Sequence, residues 1–192
     1  MRFAKPFRWA ATVVLGASAS IVGLAQPASA DPRIIYGGPV WNLLTVQRGV
    51  GKAMAVLNAS TGNTAPMVQH WYTGAAPRND YMLLEMETTA NVWRIKPDHT
   101  YTNDFNPHND KCLAVKNNEG GNNIPIVNAN CSYDSVNNDV WHMDPVADST
   151  YQFRNQATGK CITTQNASTG INARLITYTC NSGHHALWTI SS

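Results

Sequence analysis

The sequence predicts an all-β chain folded as three copies of one four-stranded unit. Cys161 and Cys180 stand nineteen positions apart, and so do Cys112 and Cys131. Asn166-Ala167-Ser168-Thr169-Gly170 occurs unchanged upstream as Asn58-Ala59-Ser60-Thr61-Gly62. Between these marks run short apolar segments punctuated by Gly, Asn and Pro, and no window sustains a helical period. A unit of about fifty residues repeated three times is the signature of an internally symmetric fold.

Taken in order, the chain opens with a segment built like a secretory leader. Arg2, Lys5 and Arg8 precede an apolar run from Ala10 to Leu24, and Ala28-Ser29-Ala30 supplies small residues for cleavage, which defines residues 1–30. The run is short and rich in Ala, Gly and Ser, so it predicts export rather than a membrane span. The remainder, 31–192, suits one domain and carries eleven Lys and Arg against twelve Asp and Glu. Without clustered basic residues, neither nucleic acid nor an anionic membrane is the expected partner. Four cysteines in an exported chain are expected to form disulfides.

The copies span approximately 40–88, 89–146 and 147–192. In the first, strands are expected over 43–46, 53–57, 67–71 and 82–86. In the second they fall at 92–96, 112–115, 124–128 and 140–143, and in the third at 151–155, 161–164, 174–179 and 187–190. The copies align with Cys161 on Ala53 and Cys180 on Tyr72, so the first lacks both cysteines together. Joint loss is what bonded pairs predict, and the expected bonds are Cys112–Cys131 and Cys161–Cys180. Tyr72 is expected to fill the space that a disulfide occupies elsewhere. Trp141 and Trp188 occupy equivalent places and are expected in the core, with Trp41 and Trp93 partly buried. The stretch from Pro97 to Asn109 is longer than its counterpart and is expected to protrude as a loop.

These residues resemble the ricin-type β-trefoil lectins. The resemblance rests on Gly159-Lys160-Cys161, Lys111-Cys112-Leu113, the two cysteine spacings, the Ser-Thr-Gly turns, and the closing Trp141-His142-Met143 and Trp188-Thr189-Ile190. It covers Tyr36 to Ser192. It implies a β-trefoil: a six-stranded barrel capped by three hairpins, with non-catalytic carbohydrate binding as its function. In the family an Asp two places after the first cysteine binds paired hydroxyls, an aromatic on the third strand stacks on the sugar, and Asn and Gln before the closing Trp add hydrogen bonds. Here the Asp position holds Ala55, Ala114 and Thr163.

The remaining positions differ from copy to copy. The third keeps Tyr178, with His185 and Ala186 before the closing Trp. The second keeps Asn138 and Asp139 but has Ala129 for the aromatic. The first admits two alignments, one placing His70 in the aromatic position and the other Trp71. We prefer the second, which gives Gln69, Trp71 and Asn79, with Asp80 as a substitute carboxylate, and makes the first copy the best-preserved site. The resulting candidates for sugar binding are Gln69, Trp71, Asn79, Asp80, Asn138, Asp139, Thr163, Tyr178 and His185.

The histidines show no zinc spacing, no nucleophile elbow is present, and no metal or cofactor is expected. The expectation is therefore a secreted monomer that binds carbohydrate and is not an enzyme. The rival is a protein-interaction module on the same fold, similar to toxin-accessory or inhibitor trefoils, which the three lost Asp positions and the 97–109 stretch favour.

Overall fold

The computed structural model describes residues 42–45, 51–72, 78–87, 91–101, 109–133, 136–147, 149–181 and 183–191, all within the unit spanning 32–192. The leader-like segment and Trp41 lie outside them. Twelve strands follow one another: β1 (Asn42–Thr45), β2 (Lys52–Val56), β3 (Ala65–Trp71), β4 (Met82–Met86), β5 (Val92–Pro97), β6 (Lys111–Val115), β7 (Ile126–Asn130), β8 (Val140–Ala147), β9 (Thr150–Asn155), β10 (Cys161–Thr164), β11 (Ala173–Tyr178) and β12 (Trp188–Ser191). Every expected strand has its counterpart. The largest offset is at β8, which runs on to Ala147 rather than ending at 143, and β7 begins after Pro125 rather than at residue 124. Proline has no N–H to donate, and Pro125 is left with an isolated bridge to Ile176 and the Lys116 N–H on its carbonyl at 3.0 Å.

The threefold plan is explicit in the pairing. Strands β1, β12, β9, β8, β5 and β4 hydrogen-bond in that order, giving the six staves of a trefoil barrel. Strands β2–β3, β6–β7 and β10–β11 form the three hairpins, and β3 also pairs with β7 and β11. The register sets Ala53 opposite His70, Cys112 opposite Ala129 and Cys161 opposite Tyr178. The three hairpins therefore superpose without a gap.

After its first strand each hairpin enters the same short 3-10 turn. Asn58, Asn117 and Asn166 sit there with φ of 55°, 53° and 56°, in the left-handed region that asparagine tolerates better than most residues. That is why the repeated motif starts with asparagine. The turns are then locked to the next copy by one buried polar side chain each. Gln69 Nε2 donates to the Gly170 carbonyl at 2.9 Å, Asn128 Nδ2 to Gly62 at 3.4 Å, and Thr177 Oγ1 to Gly121 at 2.9 Å. A backbone bond accompanies each clamp: Asn172 N to Gln69 O, Thr64 N to Asn128 O, and Asn123 N to Thr177 O, at 2.7, 2.7 and 2.8 Å. The first copy holds the third, the second holds the first, and the third holds the second.

The core sits on the barrel axis. Trp141 and Trp188 are fully buried, and their indole N–H groups donate to Leu113 and Ile162 carbonyls at 2.9 and 3.3 Å, fastening each closing strand to its own hairpin. Met82 takes that place in the first copy. Trp93 is only 1% exposed, a correction to the partial burial expected of it, because β5 turns Trp93 and Ile95 into the barrel. The disulfides Cys112–Cys131 and Cys161–Cys180 both form, each with Cα atoms 5.0 Å apart. Tyr72 does not fill the missing one. It is 40% exposed, with its ring tilted against Tyr81 at 6.1 Å, and the buried Ala53 occupies the first-cysteine position.

The opposite face of β5 is charged and just as buried. Lys96 is 1% exposed between Glu85 and Asp110, while Arg94 pairs with Glu87 and Asp139 and donates to the Ser132 carbonyl. Tyr133 covers both cations, 4.2 Å from the guanidinium and 5.8 Å from the ammonium. Burial alone would lower the Lys96 pKa, but the hydrogen bonds it donates to Glu85, Tyr133 and Asp110 outweigh it and hold the ammonium above the ordinary lysine value. Burial has the upper hand at Asp139, raising its carboxyl despite the Ser132 N–H and Arg94.

Beyond β5 the chain does not protrude at once. Asp98–Thr100 forms a 3-10 turn tied to the first copy by Asp98 N to Tyr81 O at 2.9 Å, with Asp98 pairing to Arg78 at 3.3 Å. The rest of the long stretch, 102–108, lies outside the described residues. Burial pushes the His99 imidazole below its ordinary value, against the opposing pull of Ser60 and Ala59 backbone groups and Asp98.

Replacing Gln69 by Ala removes one clamp, and chemical denaturation should show a loss of about 1–3 kcal/mol, the cost of an unsatisfied buried partner. Lys96→Met strands two carboxylates and should cost about 3–5 kcal/mol. Arg154→Met, at the half-exposed pair with Asp144, should cost under about 1 kcal/mol in the same urea titration. Because the folded-state pKa of His99 lies below its unfolded value, its contribution is complete above the ordinary histidine pKa and falls away as pH drops through and below it. Urea midpoints between pH 7.5 and 5.5 should therefore decline less steeply for His99→Gln than for the native chain.

Candidate functional site

The third copy carries an open recess of about 450 Å³, a volume suited to a small ligand. Hairpin β10–β11 forms its floor and one wall with Thr163, Thr164, Asn166, Ala167, Ile176 and Tyr178. Asn181 and His185 close one side, and Asn123 enters from the second copy. The recess thus straddles a seam between copies.

Each wall is set by local chemistry. Tyr178 ends β11 opposite Cys161, two positions before the disulfide-bonded Cys180, and is 39% exposed. Its ring is consequently available on a rigid strand. The Thr163 hydroxyl donates to the His185 carbonyl at 3.0 Å, tying the hairpin to the 3-10 turn His184–Ala186. Gly183 precedes that turn because a Cβ there would lie 2.3 Å from His185 Cε1 and 2.9 Å from Asn181 Oδ1. The Gly183 N–H also donates to Asn181 Oδ1 at 2.9 Å, which orients that amide.

The sequence-derived candidates separate sharply when placed in this geometry. Tyr178, Thr163 and His185 come together at the recess. Gln69 does not join any open site: it is fully buried, and its amide clamps the Gly170 turn. The pairing register aligns it with Asn128 and Thr177, so the shifted alignment preferred for the first copy is corrected. His70 is the counterpart of Tyr178, and Trp71 is the counterpart of Thr179 and Asn130. Trp71 is 48% exposed but lies one position beyond the aromatic place.

Asn79 and Asn138 are fasteners. Their amide nitrogens donate to the Val56 and Val115 carbonyls at 2.8 and 3.1 Å, and their own carbonyls receive the N–H groups of the same residues. Asp80 and Asp139 are 2% and 0% exposed, so neither offers a carboxylate to a sugar. Asp139 is held by the Ser132 N–H at 2.7 Å and by Arg94. It also lies beside Cys112 and Cys131, but those sulfurs are bonded to each other and cannot ligate a metal.

Sequence reasoning missed Asn123, Asn166 and Asn181. Asn166 stands inside the repeated motif and could have been weighed. Asn123 reaches the recess only through the left-handed turn of a neighbouring copy, with φ of 63°. No spacing within one copy reveals it. None of the described lining residues is Asp or Glu, and the recess presents one aromatic ring bordered by neutral amides and an imidazole.

Among solved structures, the fold is similar to ThreeFoil, a designed threefold-symmetric protein, with 24% identity over 80% of this chain and 98% of that one and a TM-score of 0.68. It is also similar to part of the exo-β-1,3-galactanase 1,3Gal43A of Clostridium thermocellum, with 18% identity over 82% of this chain and a TM-score of 0.69. This chain spans 31% of that enzyme's length. A third likeness is to half of the Polyporus squamosus lectin bound to Neu5Acα2-6Galβ1-4GlcNAc, with 11% identity, coverage of 82% and 50%, and a TM-score of 0.61. No curated protein matches the chain by sequence. The family described as ricin-type beta-trefoil lectin domain-like matches residues 69–178 and 137–192. With twelve trefoil strands and that match over more than half its length, the chain belongs to the ricin-type β-trefoil lectin-like family.

Proposed function

We propose that the protein is a secreted module that binds carbohydrate in the recess of its third copy without transforming it. The observation that carries this reading is the exposed ring of Tyr178 set on a rigid strand among neutral amides. A pyranose has one apolar face and a rim of hydroxyls, and such a recess complements both, with the ring covering the face and Asn123, Asn166, Asn181 and His185 meeting the rim. Glycoside hydrolysis uses a pair of carboxyl groups, and the described lining holds none. The two disulfides suit an oxidising compartment outside the cytoplasm.

The recess lacks the carboxylate that grips paired hydroxyls, so single-site affinity should be weak. Galactosides are the first glycans to test, since one structural neighbour is an exo-β-1,3-galactanase and another holds a galactose-containing trisaccharide. On a glycan array, Tyr178→Ala should weaken binding about tenfold or more while Tyr178→Phe retains it. Gly183→Ala forces the His185 ring aside and should weaken binding with little change in melting temperature. If the intact protein binds no glycan at high concentration, the sugar reading is rejected and a protein partner takes its place.

A further inference from the structure

The two disulfides occupy equivalent places but are unequally enclosed. Lys111-Cys112 of the second copy corresponds to Lys160-Cys161 of the third, and each bond joins the first strand of a hairpin to the chain just beyond its second. Cys112, Cys131 and Cys161 are 0%, 3% and 1% exposed, whereas Cys180 is only partly buried. The neighbours account for the difference. Asp110 precedes Lys111, and Asp139 stands two residues before Trp141; their third-copy counterparts are Gly159 and Ala186.

Both acids of the second copy are buried. The Asp139 carboxylate lies within 4.8 Å of the Cys112 and Cys131 sulfurs and receives the Ser132 N–H at 2.7 Å, while the Ser132 carbonyl accepts from Arg94 at 2.8 Å. Asp110 holds Lys96 through its carboxylate, and its backbone carbonyl receives the Cys131 N–H at 3.0 Å. Cys131 is thus pinned on both sides, against the ion network of β5. In the third copy Gly159 is exposed, with open space where a Cβ would stand, and Cys180 Sγ lies 3.7 Å from its carbonyl. A reagent arriving from solvent therefore meets Cys180 first.

We propose that Cys161–Cys180 is a thiol-exchange site, attacked at Cys180 by low-molecular-weight thiols while Cys112–Cys131 stays intact. Exchange proceeds by thiolate attack on one sulfur, so access to that sulfur governs its rate. The thiolate bonds to Cys180 Sγ, the Cys161–Cys180 bond breaks, and its electron pair leaves on Cys161 Sγ, which takes a proton from water. A second thiolate then attacks the reagent's sulfur in the mixed disulfide and releases Cys180, which is protonated in turn. Two reagent thiols are oxidised to one disulfide, and the protein disulfide is reduced to two thiols. The bond stands in the recess wall, with Tyr178 two positions before Cys180 and Asn181 directly after it. Cutting it loosens that segment, which makes the recess sensitive to reductant. The exchange does not depend on the carbohydrate reading; only its effect on glycan affinity does.

Incubating the folded protein with reduced glutathione, quenching at intervals with iodoacetamide in denaturant and mapping the peptides by mass spectrometry tests this. Cys161 and Cys180 should be modified at least about tenfold faster than Cys112 and Cys131, with the first glutathione adduct on Cys180. Amide hydrogen exchange of the selectively reduced protein should show protection lost over 178–181 and kept over 126–131. Equal rates for the two pairs, as opening through global unfolding gives, would overturn the proposal, and so would a first adduct on any cysteine but Cys180 or no reaction of the folded protein. Unchanged protection over 178–181 would overturn the link to the recess.

Discussion

The architecture depends on a cyclic set of three buried side chains, Gln69, Asn128 and Thr177, each of which hydrogen-bonds the turn of another copy. A hairpin turn leaves carbonyls without strand partners, and a donor must be found to satisfy them. An amide or hydroxyl from the next copy does so, and a backbone bond beside each makes the seam two-pointed. Three different residue types serve because the requirement is a donor at one place, not a particular side chain. The result fixes the hairpins relative to each other, so a recess formed at a seam inherits that rigidity.

The copies are less equal in the charges they bury than in the clamps they share. Arg94 and Lys96 sit on β5 with Glu85, Glu87, Asp110 and Asp139 around them, whereas among the described residues Arg154 of β9 has the half-exposed pair with Asp144 of β8. Buried ion pairs seldom add net stability over apolar packing, but they penalise any register that separates the partners. Here the partners come from β4, β5 and the loops of the second copy. They tie the uncrosslinked first copy to a copy that has a disulfide, which is the place where a repeat fold without a third disulfide most needs specificity.

Much of this was legible in the chain. Paired cysteine spacing, the duplicated Asn-Ala-Ser-Thr-Gly and the alternating apolar segments gave twelve strands and both disulfides because each reflects a local constraint: a left-handed asparagine, a cross-linked hairpin, a two-residue side-chain period. The misreadings arose where tertiary contacts decide. Gln69 followed by Trp71 looked like a binding pair, and the two share a face of β3, yet Gln69 lies buried in a seam while Trp71 stands at the strand's exposed end. Asp80 and Asp139 looked like available acids, although they lie inward. Asn123 belongs to the recess only because the second copy's turn is clamped against β11, and no linear pattern encodes that.

What the recess can recognise follows from what it lacks. A carboxylate orders two vicinal hydroxyls with charge-assisted bonds, and its replacement by Thr163, whose hydroxyl is engaged by the His185 carbonyl, removes the strongest polar grip. The remaining amides both donate and accept, so they tolerate several hydroxyl configurations at modest energy. Discrimination in such a site falls to shape and to the Tyr178 ring more than to a fixed hydrogen-bond pattern. Selectivity must then come from contacts outside the recess.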